Sequence, residues 1–241
     1  LFPRKASASQ RIRGVFYGRS LNIRSKPKEI RTMQDIFEKT DLLVMGAGNI
    51  LWADEGFGVR CVERFNELYR APEKVKVMDG GTLGMYLLEY VEATRDLFFF
   101  DCADLHAEPG TLKVLTDDEI LRWSSTKISP HQTGLNEVLA LAELQGKEPG
   151  RIAVVAVQPK ELEDYGGSLT DVVRPMVDKA VEEAYKLLTS WGYKFERRAP
   201  GEKVPSLSYS SLNQDYYEAT RPSDAEAPRM GDVRFFPKDM A

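Results

Sequence analysis

The stretch Thr40-Asp-Leu-Leu-Val-Met-Gly46-Ala-Gly48-Asn49-Ile-Leu-Trp52-Ala-Asp54-Glu55-Gly56-Phe-Gly58 decides the fold class of this chain. A short β-rich run closes on a glycine turn and a helical pattern opens directly after it, the strand-turn-helix start of a parallel α/β unit. Reading outward, the same alternation repeats. Strands are expected near residues 42–46, 74–79, 96–101, 111–115 and 152–157, and helices near 54–70, 83–93, 133–145 and 168–191. Ser168 is the expected N-cap of the last helix, with Asp171 following in its first turn. These elements predict a three-layer α/β/α sandwich around a mostly parallel, five-stranded, twisted sheet.

Ligands of open parallel sheets bind outside the carboxyl ends of the strands, and three strand ends in succession carry acids. The first ends in the glycine turn quoted above, which invites a dinucleotide reading. Leu51 replaces the third glycine of that fingerprint, and Asp54 with Glu55 sets negative charge where a pyrophosphate would meet the helix dipole. The plain structural role for these acids is helix N-terminal stabilisation, about 0.3–1 kcal/mol each. That accounts for one acid but only partly for a glycine-flanked pair. The second strand ends in Asp79-Gly80-Gly81-Thr82, where Asp79 reads equally as a cap of the Gly-Gly bend and as a functional group. The third ends in Asp101-Cys102 after three phenylalanines. A carboxylate at so apolar a lip is costly unless partnered, so Asp101 is read as a ligand or proton-handling group, with a cap as the plain alternative. His131 lies in Ser129-Pro130-His131-Gln132, just ahead of the amphipathic run Leu135 to Leu144, and projects from a loop or first helical turn. Glu55, Asp101 and His131 together make two carboxylates and one imidazole, a set suited to a divalent metal with open positions. Spacing alone does not bring them together. His106, in a polar turn, is assigned no such role.

The 241 residues, 42% hydrophobic and 29% charged, suit one globular domain with tails. A formal net charge of -4 and a sequence pI of about 5.5 supply no basic field for nucleic acid or an anionic membrane. Proteins or small molecules are the expected partners. Cys61 and Cys102 form no CxxC motif, which fits a reducing cytoplasm and buried free thiols. The longest apolar runs fall far short of the roughly 20 residues a membrane-spanning helix needs. Residues 1–32 are rich in Arg, Lys and Ser with Glu29 as their one acid, and are expected to stay outside the core. A targeting segment is one reading of them; upstream sequence ahead of a start at Met33 is preferred. Residues 199–241, rich in Pro, Ser, Asp and Arg, read as an extended or disordered tail.

Taken in order, Gly46-x-Gly48-Asn49-Ile-Leu-x-x-Asp54-Glu55-Gly-x-Gly58, Asp79-Gly80-Gly81-Thr82, Asp101, Ser129-Pro-His131-Gln132 and Gln158-Pro159 resemble the hydrogenase maturation endopeptidases. The resemblance spans about residues 41–195, so the domain is expected over 33–198. Trp52 to Gly58, Glu163-Asp-Tyr-Gly-Gly-Ser-Leu169 and the tail segment Leu207 to Glu218 look like the branch serving membrane-bound uptake hydrogenases. The resemblance implies an endopeptidase that removes the C-terminal peptide of a nickel-iron hydrogenase large-subunit precursor already carrying nickel. It implies that Glu55, Asp101 and His131 are metal ligands, with Asp101 and Glu55 catalytic. Gly48, Asn49, Asp54, Asp79, Gly80, Gly81, Thr82 and Gln132 are expected to bind substrate or shape the site. Nickel is then brought by the substrate, and no organic cofactor is implied. Two rivals are weighed against this expectation: a non-catalytic nickel-binding maturation factor using the same three ligands, and a nucleotide-binding α/β enzyme.

Overall fold

A computed structural model describes residues 39–117, 119–120 and 130–221, with the backbone alone at 130–134 and 136. The N-terminal extension assigned to residues 1–32 lies outside the described residues. In chain order the strands are β1 (Thr40–Ala47), β2 (Tyr69–Arg70), β3 (Val75–Gly81), β4 (Thr94–Cys102), β5 (Leu112–Thr116), β6 (Arg151–Val157) and β7 (Glu196–Arg197). The helices are α1 (Phe57–Leu68), α2 (Leu88–Glu92), α3 (Pro130–Leu144), α4 (Met176–Ser190) and α5 (Gln214–Thr220).

The main sheet has the order β3-β1-β4-β6-β5. β1, β3, β4 and β6 are parallel, and β5 runs antiparallel to β6 at the edge. The reversal follows from chain length. The connection from β4 to β5 is too short to carry the chain back across the sheet, so β5 starts where β4 ended and runs down. β6 later fills the slot between them.

Because the inner strands are covered on both faces, they read as continuous apolar runs whose residues divide by period two. Leu42 and Val44 of β1, Phe98 and Phe100 of β4 and Val155 of β6 pack with Phe57, Phe65, Ala180 and Leu188 of α1 and α4. Leu43, Met45, Leu97, Phe99 and Val154 face the other way, against Val91 of α2 and Val138 and Ala142 of α3. The result is the expected α/β/α sandwich.

Three local expectations change. The last long helix begins at Met176, not at Ser168, because Pro175 disfavours helical backbone in the residue before it. The approach is a turn in which Thr170 O accepts from Val173 N and Arg174 N, and Ser168 is not its cap. The first helix ends at Leu68, since Tyr69 and Arg70 turn extended and pair with Arg197 and Glu196. Finally, between Ala199 and Arg221 the chain is not a featureless extension: it forms α5, with Asn213 as a side-chain N-cap, and contacts the body through bonds described below. Among the described residues, no helix is long and apolar enough to cross a membrane.

Candidate functional site

The chain leaves β1 for β3 on one side and later returns to place β4 on the other. The carboxyl ends of β1 and β4 therefore flank the topological switch point, where an open α/β sheet offers a crevice. Those ends carry the Gly46–Glu55 segment and Asp101.

Backbone, not side chains, builds the floor of this crevice. A Cβ on Gly46 would stand 2.1 Å from Gly58 O, and one on Gly58 would stand 2.1 Å from Ala47 O and 2.4 Å from Phe100 O. Helix α1 thus enters directly against the ends of β1 and β4. Gly48, at φ +133°, would bring its Cβ within 1.9 Å of Glu55 O. This turn is packed against its own chain, and the nucleotide-binding reading finds no support. Asn49 closes the turn, its Oδ1 accepting from Leu51 N at 3.0 Å.

The two acids of the turn have separate fates. Asp54 has 0% of its surface exposed. Its Oδ2 accepts from Lys160 N, Glu161 N and Thr170 Oγ1, and its Oδ1 from Thr170 N, at 2.7–3.0 Å. A carboxylate so enclosed is held by its own chain, and it does not cap α1. Glu55, next along the 3₁₀ turn Ala53–Gly56, is half-buried, and that turn packs against β4. Asp101 is 6% exposed at the end of β4, with Oδ1 accepting from Cys102 N at 2.9 Å. Topology thus brings the elements bearing Glu55 and Asp101 together. At the end of β3, Asp79 Oδ1 accepts from Gly81 N at 2.8 Å, as a cap of the Gly-Gly bend should. Burial nevertheless pushes its pKa up, and Glu63 adds to the rise against the Gly81 hydrogen bond and the Arg60 charge. Gly80 lies against Gly46 O, and Thr82 is exposed.

His131 and Gln132 belong to the first turn of α3, but their side chains lie outside the described residues. Helix α3 delivers the chain to the amino end of β6, so its first turn stands toward the carboxyl side of the sheet. Among the described residues, no three His, Cys, Asp or Glu side chains form a group able to hold a metal ion. His106 is an exposed turn residue against Asp104.

The family model described as hydrogenase maturation protease matches residues 59–187. The chain belongs to the hydrogenase maturation protease family. It is a peptidase of hydrogenase maturation. The chain is 46% identical over 202 residues to hydrogenase expression/formation protein HupD of Rhodobacter capsulatus, covering 83% of this chain and 95% of HupD. It is 44% identical to HoxM of Cupriavidus necator, covering 83% of this chain and 100% of HoxM. Among solved structures, the hydrogenase maturating endopeptidase HybD from E. coli aligns with TM-score 0.63 and 37% identity, over 66% of this chain and 98% of HybD.

Sequence reasoning missed several residues that build the crevice of this maturation protease. Thr170 provides two of the donors to Asp54. Tyr165 bridges to Trp52 with ring centroids 5.0 Å apart. Gln158 Oε1 accepts from Leu105 N at 2.6 Å and so ties down the loop after β4. The Gln158-Pro159 and Glu163–Leu169 motifs were visible as family marks, without a physical role.

Proposed function

We propose that the chain cleaves the C-terminal peptide from a nickel-loaded large-subunit precursor of an uptake-type nickel-iron hydrogenase, with Glu55, Asp101 and His131 as the groups that meet the precursor's nickel. The observation that carries this reading is the union of the Glu55 turn with the end of β4 at the switch point, while neighbouring Asp54 is consumed by four internal donors. Of the two acids on the turn, Asp54 is fully enclosed and Glu55 is half-buried where the turn meets β4. Relatives named hydrogenase expression/formation proteins support a hydrogenase precursor as substrate, and the Trp52–Gly58 and Glu163–Leu169 motifs resemble the uptake branch.

The donor set argues for nickel as part of the substrate. Two carboxylates and an imidazole include no thiolate, and by the usual divalent order such a set favours copper over nickel. Selection must therefore come from nickel already held in the precursor. Completing its coordination sets the scissile bond beside the crevice, and in this reading Asp101, at the apolar lip of β4, takes a proton from the attacking water. No organic cofactor enters this scheme, and the reaction is assigned to the cytoplasm.

The test uses purified protein and precursor prepared with and without nickel, following the mass of the released peptide. Cleavage of the nickel form alone is expected. Equal cleavage of both forms would overturn the nickel requirement, and cleavage of neither would favour a non-catalytic nickel-binding factor.

A further inference from the structure

Between Pro205 and Arg221 the tail is anchored at two places. On α1, Pro205 O accepts from Asn66 Nδ2 at 2.8 Å, Ser208 Oγ donates to Glu63 at 3.0 Å, and Leu212 O accepts from Arg60 at 2.7 Å. Arg60, 4% exposed, also lies over the ring of Tyr217, 6.0 Å from its centroid. At the second place, Glu218 Oε1 accepts from Ser168 Oγ at 2.5 Å and pairs with Arg174 at 2.8 Å, while Arg221 lies 3.5 Å from Asp164. A seven-residue helix such as α5 does not hold its shape alone in water. Its conformation depends on these anchors.

The loop gripped at the second place is the one that holds the Glu55 turn. Gly166 N donates to Leu51 O at 2.7 Å. Tyr165 bridges to Trp52, and Thr170 supplies both its amide and its hydroxyl to Asp54. A continuous set of bonds therefore runs from the tail through residues 163–170 to residues 51–55. The groove between α1, α4 and the tail is no rival ligand site: its arginines Arg60, Arg64 and Arg174 are already paired with Glu63, Asp178 and Glu218.

We propose that Pro205–Arg221 is a brace for the active-site turn and that Glu218 is a positioning residue, acting on Glu55 through the 163–170 loop. The proposal rests on the reading of Glu55 given above. Partly exposed ion pairs contribute little to global stability, so the effect of Glu218 belongs to local geometry. Misplacing a catalytic group by about an ångström can cost up to about a hundredfold in rate.

The experiment compares Glu218→Ala and Glu218→Gln in the full chain, by amide hydrogen exchange and by kinetics on the nickel-loaded precursor. Glu218→Ala should speed exchange at residues 51–55 and 163–170 and lower kcat about tenfold, with KM within about twofold. Glu218→Gln keeps an acceptor oxygen for Ser168, Gln214 and Arg174 and should restore both. Unchanged exchange in Glu218→Ala would overturn the brace. So would faster exchange throughout the molecule, or a rise in KM alone, which would make the tail a substrate contact. If the wild type fails to cleave while Glu218→Ala still loosens residues 51–55, the brace stands and the proteolytic assignment of Glu55 falls.

Discussion

Asp96 and Asp79 sit at opposite ends of the same sheet, and their surroundings treat them in opposite ways. At the amino end of β4, Asp96 meets Arg151 through two nitrogens, at 3.0 and 2.5 Å, and also the Tyr193 hydroxyl, which lies 2.6 Å from Asp41 O. Burial alone would raise its pKa, but the hydrogen bonds from Arg151 and Tyr193 and the charges of Arg151 and Arg95 outweigh it, leaving the pKa lowered. At the carboxyl end of β3, Asp79 is pushed the other way by burial. The amino end is where charge is compensated and stabilises the fold. The carboxyl end keeps a perturbed acid beside a crevice, as working sites do. Asp54 shows that position does not decide by itself: it lies at the carboxyl end, yet is as fully partnered as Asp96.

The sharpest way to break this contrast is to neutralise the proposed reacting groups. Glu55→Gln, Asp101→Asn and His131→Gln should each lower precursor cleavage by about a hundredfold or more while the melting temperature holds. Full activity in any of them would remove that residue from the site. Next in size is Asp96→Asn, which leaves Arg151 and Tyr193 facing an amide and should cost about 1.5–3 kcal/mol of stability, read by denaturant unfolding. The folded pKa of Asp96 lies below its unfolded value of about 3.9, so its contribution is complete above that value and is lost as pH falls through the folded pKa. The gap between wild type and variant should therefore be full at neutral pH and close in acid; a constant gap would refute the charge argument.

Asp54→Asn should be costly too, by about 1–3 kcal/mol, because one of its oxygens becomes a donor facing other donors. Unlike Asp96→Asn it should also reduce cleavage, since the Glu55 turn loses its clasp. The smallest effect belongs to Asp79→Asn. With its folded pKa raised, the wild type loses stability as pH climbs from about 4 through that pKa. The amide removes this penalty, so the melting temperature at pH 7 should rise slightly and the difference should vanish in acid. A fall of several degrees would show that the Asp79 charge is compensated after all.

What the sequence disclosed follows a physical line. Apolar runs such as Leu97–Phe100 and Ile152–Val157 and the glycine turn after Met45 are local signals, and from them the sandwich and its carboxyl-edge acids were legible. Ser168 carries a good local cap signal, but the backbone restriction at Pro175 decides where α4 starts. The clasp on Asp54 and the anchors of the tail are hidden for another reason: they join residues far apart in the chain, 116 positions for Asp54 with Thr170, 152 for Arg60 with Leu212 and 50 for Ser168 with Glu218. Composition made the tail look loose, because polar residues that bind each other and polar residues that bind water look alike in a sequence.

The two thiols have a practical consequence for anyone wishing to watch the precursor arrive. Cys61 and Cys102 are both buried, and burial together with the nearby charge of Asp178 lifts the Cys61 pKa well above its usual value, leaving that sulfur protonated and unreactive at neutral pH. Tyr86, in the 3₁₀ turn that follows the Asp79–Thr82 segment, is 82% exposed. A Tyr86→Cys variant would place a single accessible thiol beside the crevice, and a maleimide dye or photo-crosslinker could be attached there with both native cysteines left in place.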